Sequence, residues 1–332
     1  MTKIFKLTKI DKNYQHIPVL LNEVLEYLSP KVNQNFVDAT LGGGGYSLAI
    51  LEKILPAGQL LAIDLDKDAI KNFQFLISNF KISNQVINEQ SVIVEQGNFK
   101  DLDEIISKNN FPKPDGIVAD IGLSSHQLDH GERGISFQKT EELDMRFDLT
   151  STNPTAKQIL NNSSEAELRQ IFEDFGEEKF SRQIARKVYE LRSQSHELET
   201  TADLYQVIQD ALPKPVKHKA DDSARRIFQA LRIVVNRELE NLEIFLPKAF
   251  KALKPGGKLA VVSFHSLEDR IVKQYFVSLT KGCICPPDFP LCLCNKQSLG
   301  KILTKKPLTA SIQELQANPR SSSAKLRVVE KL

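Results

Sequence analysis

The chain has 332 residues, a formal net charge of +2 and an apolar fraction of 41%, which allows two domains and is ordinary for a soluble globular protein. With charge so nearly balanced, any nucleic-acid binding must rest on a local basic face rather than on a global field. No apolar run approaches the roughly 20 residues of a membrane span, the lysine-rich stretch 1–13 lacks the apolar core of a signal peptide, and all four cysteines fall between Cys283 and Cys294, so no disulfide framework crosses the chain and a cytoplasmic location is expected.

Apolar residues recur at helical spacing from Val19 to Leu28, with Pro30 marking the end. A short apolar run from Phe36 to Leu41 then opens into Gly42, Gly43, Gly44 and Gly45, a helical segment over 47–55, and a second apolar run, 60–63, that ends in Asp64. Strand, glycine turn, helix, strand and terminal acid form the opening of a nucleotide-binding βαβ unit. The glycines let backbone approach a ligand, and the acid can hold both hydroxyls of a ribose. Ser47 stands where a dinucleotide fingerprint has its third glycine, and no lysine lies between Gly42 and Lys53 to serve a phosphate loop. The pattern suits a ligand without phosphate, and resembles motif I of the class I S-adenosylmethionine methyltransferases.

Further strands over 60–65, 91–95 and 116–121 alternate with helices over 67–80 and 101–108, which predicts a parallel sheet with helices on both faces. Asp38, Asp64, Asp120 and Ser263 stand near strand ends, where open parallel sheets hold ligands. Phe99 closes the third strand, either as an edge for an adenine or as a core residue. From about Asp129 the rhythm stops. Helical patterns fill 155–160, 165–175, 180–192, 201–211 and 224–246, and residues 163–167 read as a capped helix start. Strand signal returns at 258–264 and 324–330. The expected fold is therefore α/β, with a sheet domain over 1–130 and 236–332 and an inserted all-helical domain over 131–235.

Arg225, Arg226, Arg232 and Arg237 lie along the last long helical pattern, with Lys214, Lys217, His218 and Lys219 just before it. They form either a phosphate-facing surface or a solvated amphipathic face. Cys283, Cys285, Cys292 and Cys294 are four thiols within twelve residues, which suit tetrahedral zinc or remain free; the Cys-x-Cys spacing is tighter than the usual Cys-x2-Cys.

Eight ordered blocks carry a more specific resemblance: 16–21, 38–45, 120–125, 132–137, 144–148, 228–233, 263–270 and 318–321. Together they resemble the MraW-type 16S ribosomal RNA cytosine-N4 methyltransferases from His16 to Glu330. The resemblance implies a class I, Rossmann-like methyltransferase sheet domain with a helical insert and S-adenosylmethionine as donor. It also implies a cytidine of the small-subunit decoding region as acceptor, and 16S ribosomal RNA or the small subunit as partner. By position its cofactor contacts fall on Gly44, Gly45, Tyr46, Asp64, Phe99, Asp120 and Gln127. Three departures stand out: Tyr46 where a histidine is common, His126 in place of a proline before Gln127, and the stretch 217–226. Cytosine N4 is a poor nucleophile because its lone pair is drawn into the ring. The enzyme must align it and offer an acceptor to an N4 hydrogen. Asp120 is the first candidate acceptor, with His265 and Asp144 behind it, and no metal is required. A non-catalytic RNA-binding module retaining the pocket is the alternative of another class. A DNA amino-group methyltransferase is a second alternative, disfavoured because Asp120 is not followed by the Pro-Pro-aromatic motif of those enzymes.

Overall fold

The continuous apolar runs form central strands because helices cover both of their faces. The computed structural model describes residues 18–79, 81–82, 85–86, 91–122, 133–282 and 297–332. The chain divides into two compact units, Met1–Gly122 with Leu242–Leu332, and Leu123–Asn241. In chain order the first unit contributes α1 (Leu21–Leu28), β1 (Phe36–Asp38), α2 (Gly45–Ile54), β2 (Leu60–Asp64) and α3 (Lys67–Asn79). A two-residue hairpin, β3 (Lys81–Ile82) and β4 (Gln85–Val86), precedes β5 (Val92–Gln96), a 3-10 turn over Phe99–Asp101, α4 (Leu102–Lys108) and β6 (Gly116–Asp120). The second unit holds α5 (Ala156–Asn162), α6 (Glu165–Asp174), α7 (Ser181–Ser193), α8 (Thr201–Ala211) and α9 (Ala220–Asn236). The chain then continues through α10 (Glu238–Ala252) to β7 (Lys258–Ser263), α11 (Ser266–Thr280), β8 (Gly300–Ile302), α12 (Ile312–Ala317) and β9 (Lys325–Lys331).

The main sheet has the order β5-β2-β1-β6-β7-β9-β8. Its first five strands are parallel, as expected; β9 and β8 are antiparallel additions. Residue parity sorts the strands between two cores, as a pleat requires. Phe36, Leu60, Ala62, Val118 and Val262 pack with α1, α2 and α3, while Val37, Leu61, Ile63, Ile117 and Val261 pack with α4, α11 and residues 242–253. A fully buried Val, Leu, Ile or Phe contributes about 1.5–3 kcal/mol. A two-pronged pair from Arg327 to Asp269, at 2.6 and 3.1 Å, fastens α11 to β9. Strand order reverses at β1, whose neighbours are β2 and β6. That reversal opens a crevice beyond the carboxyl ends of β1 and β6.

The second unit has its own core, in which Leu160, Phe172, Ile184, Val188, Leu204, Ile227 and Leu231 are buried together. Three of its helices start in capping boxes, Thr155 with Gln158, Ser164 with Glu167 and Thr200 with Asp203. Each satisfies amide hydrogens that a helix start leaves open. Ser164 lies within the capped start expected at 163–167.

One expectation fails. The single long helix expected over 224–246 is two helices, broken at Arg237, which has φ 52°. Apolar spacing continues through the break, so periodicity does not register it. Asn236, the last residue of α9, accepts from Phe147 N–H at 2.8 Å and donates to the Met145 carbonyl at 2.8 Å, which ties the helix end to the 145–147 loop. The elements over 266–280, 300–302 and 312–317 are additional to those that apolar spacing predicts. Among the described residues no helix is long and apolar enough to cross a membrane.

The break makes a prediction about Arg237. In a left-handed position glycine is free of the Cβ penalty, whereas a β-branched residue is strained. Arg237→Gly is therefore expected to melt higher than Arg237→Val, by about 1 kcal/mol of stability. In an uninterrupted helix glycine would be the worse of the two, so a calorimetric comparison of the two variants reads the break directly.

Candidate active site

The chain leaves the regular ladder after Asp38 and splays between its neighbours. Ala39 N–H donates to the Val118 carbonyl at 2.9 Å on one side, and Leu41 N–H to the Ile63 carbonyl at 2.8 Å on the other. The glycine turn follows, with Gly42 at φ 48° and Gly44 at φ 75°. A side chain at Gly44 would run into the Phe73 ring and one at Gly45 into Pro18, so the turn lies close against the fold beneath it. Gly42 N–H donates to Asp64 Oδ2 at 2.7 Å, and Asp66 N–H to Asp64 Oδ1 at 2.8 Å. A carboxylate oxygen has two lone pairs. Asp64 thus braces the turn and keeps acceptor capacity for a diol.

Asp38 has no exposed surface. It accepts from Ser47 Oγ–H at 2.6 Å and from Thr40 N–H at 3.3 Å. Thr40 Oγ1 in turn accepts from Asp120 N–H at 2.7 Å, and Asp120 Oδ1 accepts from Gly122 N–H at 3.2 Å. The buried Tyr46 hydroxyl donates to the Val19 carbonyl and lies near enough to Asp120 to draw the pKa of that carboxyl down. Burial pushes Asp38 up to about 7 against the pull of its Ser47 and Thr40 bonds, with the charges of Asp120 and Asp64 adding to the rise. Burial likewise raises Asp120 to about 7, opposed by Gly122 and Tyr46 and reinforced by Glu268. Asp64 rises to about 6 by burial, opposed by the Asp66 and Gly42 amides. Asp64 and Asp120 are closely surrounded by protein yet retain some accessible surface. Three acids whose charge is disfavoured in one crevice make a site complementary to a cation.

Other expected residues fall as follows. Phe99 is half-buried on the turn after β5, its ring edge-on to Phe245 at 5.1 Å. His265 is the N-cap of α11, just past β7. Its Nε2 lies 2.9 Å from Glu268 Oε1 but makes no directed hydrogen bond among the described residues. Glu268, within the block 263–270 but given no role by the resemblance, is buried and accepts from the Phe264 and His265 amides at 2.8 and 3.3 Å. Its signal was the cap-to-third-residue spacing of His265 and Glu268. Asp144 is gripped by Arg146 through Nε and a terminal nitrogen, each at 2.8 Å, which holds it below its usual range and unsuits it as a proton acceptor. Gln127 and the four cysteines lie outside the described residues, as do 16–17, 123–125 and 132 from the quoted blocks.

The arginines differ sharply from one another. Arg225 is exposed and pairs with Asp222 at 2.8 Å. Arg226 reaches Glu178, a carboxylate 3% exposed, at 2.6 Å. Arg232 is a half-buried two-pronged partner of Glu238 at 2.8 and 3.0 Å, and Arg237 pairs with Glu240. Arg226 and Arg232 are thus engaged by carboxylates of their own unit.

A glycine turn at the reversal point of an open sheet, faced by acids at three strand ends, defines a nucleoside-binding α/β enzyme that does not need a phosphate. Residues 13–332 match the MraW methylase family, and the chain belongs to it. Enzymes of this family take their methyl group from S-adenosylmethionine. The chain is 45% identical over 320 residues to the ribosomal RNA small subunit methyltransferase H of Heliobacterium mobile, covering 96% of this chain and 99% of that one. Against the proteins of the same description from Heliobacterium modesticaldum and Syntrophotalea carbinolica it is 43% identical, over 96% of this chain and 99% and 98% of theirs.

Two outcomes follow from the charges. Without ligand, the folded state holds protons on Asp38 and Asp120 that the unfolded chain releases near pH 4, so stability should fall as pH rises from about 4 to about 7. A cationic ligand lowers these pKa values. Binding of S-adenosylmethionine should therefore release protons near pH 6.5 and tighten with rising pH, as read by calorimetry in buffers of different ionisation heat. Zero proton exchange would disconnect the acids from the donor. Separately, Arg226→Gln leaves Glu178 buried without its cation and should cost about 1–3 kcal/mol. Arg225→Gln should cost under about 1 kcal/mol, and thermal melts of the two variants would show the contrast.

Proposed function

We propose that the chain methylates the exocyclic N4 of a cytidine in the decoding region of 16S ribosomal RNA, in the cytoplasm, with that RNA or the small ribosomal subunit as partner. The observation that carries the reading is Asp120: an acid at the end of β6, poised near neutrality, with one oxygen engaged by Gly122 and the side chain still partly accessible. The turn through Gly44 and Gly45 and the brace at Asp64 fit a nucleoside with a ribose diol, and Phe99 offers a ring edge to its base. Following the family pattern, Tyr46, Asp120 and Gln127 complete the donor contacts. When bound, S-adenosylmethionine supplies a methyl group already activated by its sulfonium.

The remaining work belongs to the chain's own residues. The target base must be splayed out of its stack before N4 can be reached, and the helical unit is the part we assign to holding the RNA. Asp120 accepts a hydrogen bond from N4–H, which turns the nitrogen lone pair out of conjugation. It then takes the proton as the new N–C bond forms, and a base with pKa near 7 is matched to that transfer. The neutral Tyr46 hydroxyl nearby draws the Asp120 pKa downward. His265 is held at the neighbouring strand end by Glu268 and stands as the second candidate acceptor.

Mapping methylated cytidines in small-subunit RNA from cells with and without the chain tests the assignment, and loss of one N4-methyl mark in the decoding region is expected. Asp120→Asn should lower methyl transfer about 10²- to 10⁴-fold while leaving RNA affinity in place. Tyr46→Phe should shift the acidic limb of the rate profile to higher pH, because it removes a hydroxyl that favours the ionised Asp120. An equal fall in transfer and RNA binding in Asp120→Asn would make Asp120 part of the scaffold instead.

A further inference from the structure

Charge in the helical unit is sorted by helix. The α6 segment carries Glu165, Glu167, Glu173 and Asp174 against Arg169 alone, whereas α7 carries Arg182, Arg186, Lys187 and Arg192 against Glu190 alone. Ile184, Ala185 and Val188 bury the inner face of α7. Arg182, Arg186 and Tyr189 follow one another at i, i+4 and i+7 on its exposed side, so they form one stripe. Arg182 has no carboxylate partner among the described residues, and Arg186 pairs with Glu190 at 2.8 Å, both side chains exposed.

Tyr189 is 46% exposed, unusual for a large ring with no core to join. The Arg192 guanidinium lies 5.6 Å from its ring centroid and is itself fixed by bonds to the Leu160 and Ser163 carbonyls at 2.8 and 2.5 Å. The ring is therefore held in place while much of it stays open. Beyond it a polar cleft of about 810 Å³ is lined by Tyr189, Arg192, Ser195, His196 and Glu197 among others.

We propose that this stripe and cleft bind unpaired nucleotides of the RNA substrate, with a base stacked on Tyr189 and flanking phosphates near Arg182 and Arg186. A fixed aromatic ring beside cations is the arrangement that holds single-stranded nucleic acid, because stacking accepts any base and arginine meets the backbone. A protein partner would instead be expected to bury an apolar patch, and the stripe offers one ring among charges. The inference rests on the reading of RNA as substrate given above.

Binding of small-subunit RNA to the full chain, followed over a range of salt, tests it. Tyr189→Ala should weaken RNA binding by about five- to a hundredfold, while Tyr189→Phe keeps wild-type affinity because the ring remains. Arg182→Gln should lower the salt slope by about one unit. All three variants should bind S-adenosylmethionine as the wild type does, since the donor site lies on other residues. If the wild type binds and methylates the RNA and Tyr189→Ala matches it in affinity, or Arg182→Gln keeps the full slope, the surface is overturned alone. If the wild type neither binds nor methylates the RNA, the substrate reading falls and the surface with it.

Discussion

The site depends on one buried carboxylate. Asp38 lies at the end of the strand where the sheet order reverses, with no exposed surface. Taking a carboxylate out of water is costly unless its lone pairs are met. Ser47 and the Thr40 amide meet them, and in doing so fix both ends of the glycine turn to β1. The Thr40 hydroxyl, placed by that bond, holds the Asp120 amide, while Asp64 holds Gly42 from the other side. Three strand ends are thereby locked to one another through a single loop. The acids beneath and beside the turn hold it by hydrogen bonds at both ends.

That arrangement works against stability. Two carboxyls near 7 and one near 6 in one crevice mean that the ligand-free protein carries repulsion and desolvation that a cation relieves. A binding site commonly trades stability for function in this way. The same electrostatics select the ligand: a positively charged nucleoside is favoured where a nucleotide phosphate would meet like charge.

Much of this was legible in the sequence because it is local. Continuous apolar runs, four glycines and acids at the ends of the runs are read at short range, and so is the Ser164 cap. What escaped is set by contacts distant in sequence. The helix break at Arg237 follows from Asn236 gripping a loop some ninety residues earlier, and no glycine or proline marks it. The antiparallel pairing of β9 with β7 and β8 cannot be told from strand propensity. The arginines show the same limit most plainly. Arg226 and Arg232 look like a phosphate surface when counted along a helix, yet Glu178, from a different segment, and Glu238, across the break, engage them. A tally of cations does not show which are available; the partner supplied by packing decides that.

The tyrosine at position 46 bears on how the acceptor is tuned. In the proposed mechanism Asp120 has to stay basic enough to take a proton from an amine while lying beside a site that fits a cation, and a bound cation pulls its pKa down. A histidine at position 46, the residue common there in the family the sequence resembles, would add a second positive charge whenever it is protonated. That would lower Asp120 further as the pH falls toward the unperturbed histidine value of about 6.5. The Tyr46 hydroxyl is neutral throughout this range, since burial and the neighbouring carboxylates push its own ionisation still higher. It draws the Asp120 pKa down without contributing charge. Glu268, buried behind the crevice, pushes the Asp120 pKa up and so opposes the pull of the donor. The basicity of the proposed acceptor is thus set in part by two groups that need not touch the RNA, one neutral, Tyr46, and one acidic and buried, Glu268.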